Sequence, residues 1–129
     1  MIAVDSSVWI AHFRNAMSRQ VTLLRSLFGN EELMVGDIVL LEVLRGAHDE
    51  RHAVRLAREM HSFDVVAMLG DGNAVQAARN YRSLRSRGIT VRAVADLIIG
   101  AYCIDRGIPL LHDDRDFDAM QQHLGLRVL

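Results

Sequence analysis

The chain alternates short apolar runs with longer stretches in which apolar residues recur every three or four positions. Short runs rich in β-branched residues predict strands, whereas the recurring positions predict amphipathic helices. We expect strands at residues 2–4, 33–35, 63–66, 108–112 and 126–128. We expect helices that start at residue 8 and that cover 17–28, 38–45, 48–61, 91–105 and 117–124, with one more from residue 71 or 73 to residue 87.

Short strands separated by helices pair in parallel, because each crossover returns the chain to the same end of the sheet. The pattern therefore predicts an α/β fold, a three-layer α/β/α sandwich around a short central parallel sheet. The length agrees with a single domain over residues 1–129, long enough to bury a sizeable core. Neither an internal repeat nor a linker interrupts it.

Polar and small residues mark several features of the predicted helices. Ser6 or Ser7 can cap the first helix, and Asp37 can cap the helix after it, because their side chains accept backbone N–H bonds. Gly100 lies inside a predicted helix, and because it has no side chain the helix backbone is uncovered at this position. A bare backbone suits a close approach to a ligand or to the sheet.

The composition is that of an ordinary soluble globular protein, with 50% hydrophobic and 24% charged residues. The single cysteine, Cys103, forms no internal disulfide, which favours a reducing compartment. The sequence shows no signal peptide and no apolar run of bilayer length, so we expect a cytoplasmic protein without membrane contact. All fifteen basic residues are Arg, whose planar guanidinium group can bind a phosphate through two hydrogen bonds. A GC-rich coding bias would also produce Arg in place of Lys.

Asp5 stands where the first predicted strand ends and the first predicted helix begins. Open α/β sheets bind their ligands at the carboxyl ends of strands. Asp5 is therefore a candidate functional residue. The alternative interpretation is that its carboxylate only caps the helix.

Two further acids interrupt helices that are otherwise almost wholly apolar, Glu42 and Asp96. Burying a carboxylate is costly unless it is paired or binds a cation. The alternative for Glu42 is a surface ion pair with Arg45 on the same helix. The alternative for Asp96 is a position in the first turn that the helix dipole favours.

Residues 113–116 place three acids within four positions, directly after the fourth predicted strand. They repel one another unless something neutralises them, although a solvated turn explains any single one. Carboxylates gathered without His or Cys at ligand spacing favour Mg²⁺ or Mn²⁺, and such a site supports attack of water on a phosphodiester. The glycine patterns of a nucleophile elbow, a P-loop and a dinucleotide fold are absent. A receiver-like phosphoacceptor domain needs a Lys, and the chain has none.

Four segments, residues 2–10, 40–46, 96–101 and 110–117, resemble the signature blocks of PIN-domain ribonucleases in order and spacing. More narrowly, they resemble the VapC toxins of bacterial type II toxin–antitoxin systems, over essentially the whole chain. The catalytic quartet that this resemblance implies consists of Asp5, Glu42, Asp96 and Asp114. The metal ligands that it implies are Asp5, Asp96, Asp114 and Asp116.

Three details of the first and last segments bear on this resemblance. Ser7 matches a small hydroxyl residue that relatives place near the metal site. His112 departs from the pattern, because many relatives have Thr at this position. Asp113 and Asp114 compete for one place in the pattern, and the spacing to Asp116 favours Asp114.

The resemblance implies a Mg²⁺-dependent endoribonuclease toxin, with Mn²⁺ as the alternative ion, that cleaves structured RNA, above all tRNA. It also implies a VapB-type antitoxin as partner and a homodimer, with the helices over 17–28 and 48–61 as candidate contact surfaces. We expect an antitoxin Arg to pair with the acids.

The alternative function is a catalytically silent PIN-fold module that binds RNA or protein. Candidate RNA contacts are Arg82, Arg85 and Arg87, unless they only form a solvated helix face.

Overall fold

Four short parallel strands form the centre of the molecule. The structure is a computed structural model that describes residues 1–129. The strands are β1 (Ile2–Val4), β2 (Leu33–Gly36), β3 (Asp64–Val66) and β4 (Leu110–Leu111), in the spatial order β3-β2-β1-β4. β1 is central and wholly buried, and its Ala3 pairs with Met34 on one side and Leu110 on the other.

Seven helices connect and cover these strands. They are α1 (Ser6–Phe13), α2 (Arg19–Leu27), α3 (Asp37–Arg45), α4 (Glu50–Met60), α5 (Asp71–Arg85), α6 (Val94–Arg106) and α7 (Asp116–Leu124). The connections from β1 to β3 step in one direction along the sheet and the connection to β4 steps back, so right-handed crossovers place α1–α4 and α5–α6 on opposite faces. The helix contacts agree, since α1 contacts α2 and α3, and α7 contacts α5 and α6. The predicted three-layer α/β/α fold is confirmed.

Buried apolar side chains from β1, β2, β4 and all seven helices form one continuous cluster around the sheet, and the partly buried Val65 and Val66 of β3 pack against it. Its largest members, Trp9 on α1 and Phe117 on α7, lie on the two opposite faces. No helix combines the length and the apolar character that a crossing of a lipid bilayer needs.

At two helices the N-cap residue precedes the predicted one, although the sequence also offers Asp5 as the cap of α1. α1 is capped by Asp5 and not by Ser6 or Ser7, because the helix already begins at Ser6 and the Asp5 carboxylate accepts the Ser7 N–H. Gly36 occupies the N-cap of α3, and Asp37 is the first helical residue. The Asp37 carboxylate instead accepts the backbone N–H of Met68, 3.1 Å away, which ties the segment after β3 to α3.

Several predicted elements are shorter in the structure, including β4, which covers Leu110–Leu111 instead of residues 108–112. α6 begins at Val94, because Val91 is buried in an extended segment that precedes the helix. The predicted strand over 126–128 is reduced to a single bridge between Val128 and Leu110 at the edge of the sheet.

Gly100 packs closely, but not in the way that the sequence suggests. A Cβ atom at this position would collide with the Met120 sulfur, so the close neighbour is α7 and neither a ligand nor the sheet. The absence of a side chain lets α6 and α7 approach each other. This matters for the site because Asp96 lies on α6 and Asp116 on α7.

Candidate active site

The crevice between the carboxyl ends of β1 and β4 is where the chain changes direction. After β1 it enters α1 on one face of the sheet, and after β4 it enters α7 on the other. Such a switch point leaves an open crevice in which α/β proteins bind ligands. Asp5 directly follows β1, and residues 112–116 directly follow β4.

Asp5 caps α1, and its carboxyl group also lies in the crevice. Its Oδ2 atom accepts hydrogen bonds from the Ser7 N–H at 3.1 Å and from the Ser7 hydroxyl at 2.6 Å. Its Oδ1 atom is buried and has no partner. Burial raises the pKa of the Asp5 carboxyl, the hydrogen bonds from Ser7 oppose that rise, and the charge of Asp114 adds to it. Capping therefore leaves one carboxylate oxygen without a hydrogen bond.

Three acids approach one another in the crevice, and we call Asp96, Asp114 and Asp116 the acid cluster. One carboxylate oxygen from each lies within 4.8 Å of the others. The Asp114 Oδ1 atom accepts the Asp116 N–H at 2.9 Å, whereas the buried Asp96 Oδ2 atom has no partner. Burial, followed by the charges of Asp5 and Asp114, raises the pKa of Asp96 to about 8.

Asp96 also lies in the first turn of α6, so the sequence-based alternative describes its position correctly. A first-turn carboxylate gains from the helix dipole, which stabilises its charged form. Its pKa is nevertheless raised, because desolvation and the neighbouring acids outweigh that gain. The dipole alone does not account for an acid buried among other acids.

Glu42 lies on α3, half-buried, and α3 contacts α6. The Ser6 hydroxyl donates to its Oε1 atom at 3.0 Å, and an Arg45 nitrogen lies 3.9 Å from its Oε2 atom. The predicted pair with Arg45 therefore exists, but it is long and the Arg45 side chain is mostly exposed. Burial raises the pKa of Glu42, and the charges of Asp5 and Asp114 raise it further. Glu42 thus shares the electrostatic field of the crevice without belonging to the acid cluster.

The segment after β4 separates the two neighbouring acids that compete for one place in the sequence pattern. The Asp113 side chain is exposed, and its backbone N–H donates to the Ser7 hydroxyl oxygen at 3.1 Å. The Asp114 carboxylate, in contrast, is part of the acid cluster. Ser7 therefore links Asp5 to the segment after β4, and the structure brings Asp114 rather than Asp113 to the other acids.

Two contacts in the crevice have no counterpart in the sequence patterns. The sequence indicates Ser6 only as a helix cap, yet it holds Glu42 from 36 positions away. It indicates His112 only as a departure from the family pattern, yet the Nδ1 atom of His112 accepts the Asp114 N–H. The one signal in the sequence that could have identified them is that both residues closely follow a buried strand.

The arginines predicted to contact RNA lie at the far end of α5. Arg85 donates to the Thr90 hydroxyl and Arg87 to the Ser83 hydroxyl, while Arg82 lines a groove between α5 and α6. Arg85 and Arg87 are thus partly occupied within the chain. RNA contact by any of the three stays a prediction.

A family model described as the PIN domain matches residues 2–122. The chain belongs to the PIN-domain family. Two curated relatives are VapC ribonuclease Mb1587 of Mycobacterium bovis and ribonuclease VapC11 of Mycobacterium tuberculosis. Each is 30% identical over 129 residues that cover 98% of this chain and 96% of the relative. The resemblance to VapC-type PIN domains that the four sequence segments indicate is confirmed.

Solved structures share the PIN fold at lower sequence identity. VapBC2 from Rickettsia felis, bound to a promoter DNA fragment, has a TM-score of 0.78 and 14% identity, with 100% of this chain and 98% of that chain covered. FitAcB from Neisseria gonorrhoeae has a TM-score of 0.76 and 18% identity, with 100% and 96% covered. VapC20 of Mycobacterium tuberculosis, described as a toxin that cleaves the sarcin–ricin loop, has a TM-score of 0.64 and 23% identity, with 92% and 94% covered.

The crevice of this PIN domain fits a hard divalent cation. All its candidate ligands are carboxylate oxygens, the type that Mg²⁺ and Mn²⁺ prefer. No Arg or His lies within ion-pair distance of the acid cluster, and two buried oxygens, on Asp5 and Asp96, lack any hydrogen bond. Buried charges without partners are costly, so the crevice requires a proton or a cation. A metal-dependent site agrees with the PIN-domain family.

Proposed function

We propose that this PIN domain is a Mg²⁺-dependent endoribonuclease toxin of a type II toxin–antitoxin module. The observation that carries the proposal is the acid cluster beside the unpartnered Asp5 oxygen at the switch point. The names of the curated relatives support RNA as the substrate. Structured RNA, with tRNA as the first candidate, is the substrate class that the family resemblance implies.

In the proposed mechanism, Asp5 and the acid cluster hold the cation. The bound ion supplies Lewis-acid chemistry, since it acidifies water and offsets charge that develops on a phosphate. Glu42, half-buried at the edge of the same crevice, would accept the proton that the attacking water loses. Ser6 orients Glu42, and Ser7 orients Asp5, through their hydroxyl hydrogen bonds.

Cleavage by an Asp96→Asn variant tests the catalytic proposal. We expect the rate on structured RNA to fall by more than about 100-fold, since changes in residues that merely orient metal ligands already cost up to about that much. The variant should still fold, because Asn keeps the shape of the side chain. The assay compares the wild type and the variant on folded tRNA, with Mg²⁺ and with EDTA.

The matched control is Asp113→Asn, which removes an equal charge nearby from an exposed side chain. Its cleavage rate should stay within about 2-fold of the wild type, because surface charges contribute little to neighbouring sites. Equal cleavage by the wild type and Asp96→Asn would favour the alternative of a silent binding module, with any activity due to a contaminant. Undiminished cleavage in EDTA would rule out the metal.

The proposed function requires a cognate antitoxin as a partner. We propose that the antitoxin binds in an aromatic groove. This aromatic groove has a volume of about 420 Å³ and lies beside α1 and α4. Its apolar lining consists of Trp9, Phe13, Phe28 and Phe63. The Trp9 ring is almost fully buried and forms the floor of the groove, so the contact that it offers is apolar. An amphipathic antitoxin segment that folds on binding matches such a groove.

A second copy of this chain is the other proposed partner. A larger groove of about 690 Å³ lies between α5 and α6, and we call it the α5–α6 groove. Its rim carries Val94 and Leu69, which are 67% and 54% exposed. Apolar side chains this exposed around one groove mark a protein contact. A two-fold axis would bring the same groove of each copy together.

A further inference from the structure

His112 stands at the end of β4, where the chain enters the crevice. Its side chain is only 8% exposed, and its ring packs on Phe117 with 5.0 Å between centroids. Its Nδ1 atom accepts the backbone N–H of Asp114 at 3.2 Å. This bond closes a turn of the kind that Asn and Asp side chains form with the N–H two residues on.

Packing alone does not account for a histidine at this position. Because Nδ1 accepts a hydrogen bond, the ring proton is on Nε2, and that atom is buried without a partner. An apolar residue of similar size would pack on Phe117 without burying an unbonded N–H group. The bond to the Asp114 N–H is thus the one interaction at this position that an apolar side chain cannot supply.

Hydrogen bonds from three backbone N–H groups fix the segment after β4. The Asp113 N–H donates to the Ser7 hydroxyl, the Asp114 N–H to His112, and the Asp116 N–H to the Asp114 carboxylate. The bond to Ser7 fixes the backbone of Asp113, whose side chain lies outside the acid cluster. The bond from His112 fixes the backbone of Asp114 itself, whose carboxylate is in the cluster.

We propose that His112 is a positioning residue that holds Asp114 in the orientation needed to bind the catalytic cation. The proposal rests on the proposed function, because it requires the acids to bind a divalent ion. His112 touches neither the ion nor the RNA and acts only through the Asp114 backbone. Its hydrogen bond takes the place of a hydroxyl contact at the position where many relatives have Thr.

The experiment measures Mn²⁺ binding to the full chain without RNA, by calorimetry. His112→Phe keeps an aromatic ring against Phe117 and removes the acceptor, so Mn²⁺ affinity should fall by about 10-fold or more. His112→Asn should bind Mn²⁺ within about 3-fold of the wild type, because an Asn side chain also accepts the N–H two residues on. If His112→Phe does not fold, His112→Leu makes the same comparison.

Cleavage kinetics give a second readout that a merely structural role would not move. In His112→Phe the Mg²⁺ concentration for half-maximal cleavage should rise by about 10-fold, while KM for RNA at saturating Mg²⁺ stays unchanged. Equal Mn²⁺ affinity of His112→Phe and the wild type would overturn the inference alone. Equal weakening in His112→Asn would also overturn it, since the ring and not the acceptor would then matter. If the wild type binds no Mn²⁺, the proposed function fails and the inference fails with it.

Discussion

The carboxyl group of Asp96 lies buried beside other acids, and its pKa of about 8 affects folding as well as catalysis. In the unfolded chain this group releases its proton near its ordinary value of 3.8. Between these two values the folded protein keeps a proton that the unfolded chain has lost. The free energy of unfolding therefore falls as the pH rises from about 4 to about 8.

We expect Asp96→Asn to remove this part of the pH dependence. In EDTA near pH 8 the variant should be more stable by about 1 kcal/mol, or about 4 °C in Tm, because Asn carries no charge to bury. Below about pH 4 the two proteins should differ little, since Asp96 is then protonated in both the folded and the unfolded state. Thermal unfolding followed by circular dichroism across this pH range measures the difference. Parallel pH profiles of the two proteins would contradict the raised pKa.

Helix packing holds the two acids of α6 and α7 together, and Gly100 permits it. A Cβ atom at Gly100 would meet the sulfur of Met120, whose side chain is fully buried. We expect Gly100→Ala to destabilise the fold by about 1–3 kcal/mol, as overpacking usually does. Urea unfolding measures the change.

Gly72 provides the matched control, because it is also helical and no atom lies within 4 Å of the point that a Cβ would occupy. Gly72→Ala should stabilise the protein by up to about 1 kcal/mol through helix propensity alone. If Gly100→Ala also stabilised the protein, α6 and α7 would not depend on this close approach.

The sequence predicts the elements well where the pattern is local. β1 and β2 are buried and rich in apolar residues, and α4 has a regular apolar face, so their positions follow from periodicity. The start of α6 could not be predicted, because Val91 fits the helical spacing but is buried in an extended segment. The Ser caps predicted for α1 are wrong because the helix begins two residues earlier than expected, and the alternative cap, Asp5, accepts the Ser7 N–H.

The acids of the crevice could be selected from the sequence, because lone carboxylates in apolar surroundings are costly and therefore informative. Their supporting contacts could not be selected. Ser6 and Glu42 are 36 positions apart, and Ser7 and Asp113 are 106 apart. Such pairs form only when β4 lies beside β1 and α3 covers the same edge, and this depends on the tertiary structure.

At the scale of the whole molecule, the α5–α6 groove predicts how two copies associate. Leu69→Arg should produce a monomer of 14.5 kDa at micromolar concentration, because it places a charge in the contact. Val54→Arg is the matched control, since Val54 on α4 is equally exposed at 54%. Sedimentation velocity measures the mass of each protein. A monomeric wild type, or a monomer only for Val54→Arg, would contradict this arrangement, and the second result would favour α4 as the contact.

We propose that an antitoxin silences this protein through the negative charge of the crevice. A guanidinium offers donors in a fixed fork, so we expect an antitoxin Arg to pair with acids among Asp5, Glu42, Asp96 and Asp114. A complex with that Arg changed to Ala should still form through the aromatic groove but should regain RNA cleavage. Salt should weaken the pairing in an open crevice. If the altered complex forms and stays silent, the antitoxin acts by blocking access of RNA.

The order of the strands also sets when the crevice becomes complete during translation. Asp5, Glu42 and Asp96 are made before β4, whereas Asp114 and Asp116 follow it, and β4 pairs directly with the first strand of the chain. A nascent chain therefore lacks two of its carboxylates until the ribosome has passed residue 116. If the proposed site residues are right, we expect a nascent chain to be unable to cleave RNA until this segment has been made. The residues that line the aromatic groove, between positions 9 and 63, are all synthesised before these two acids.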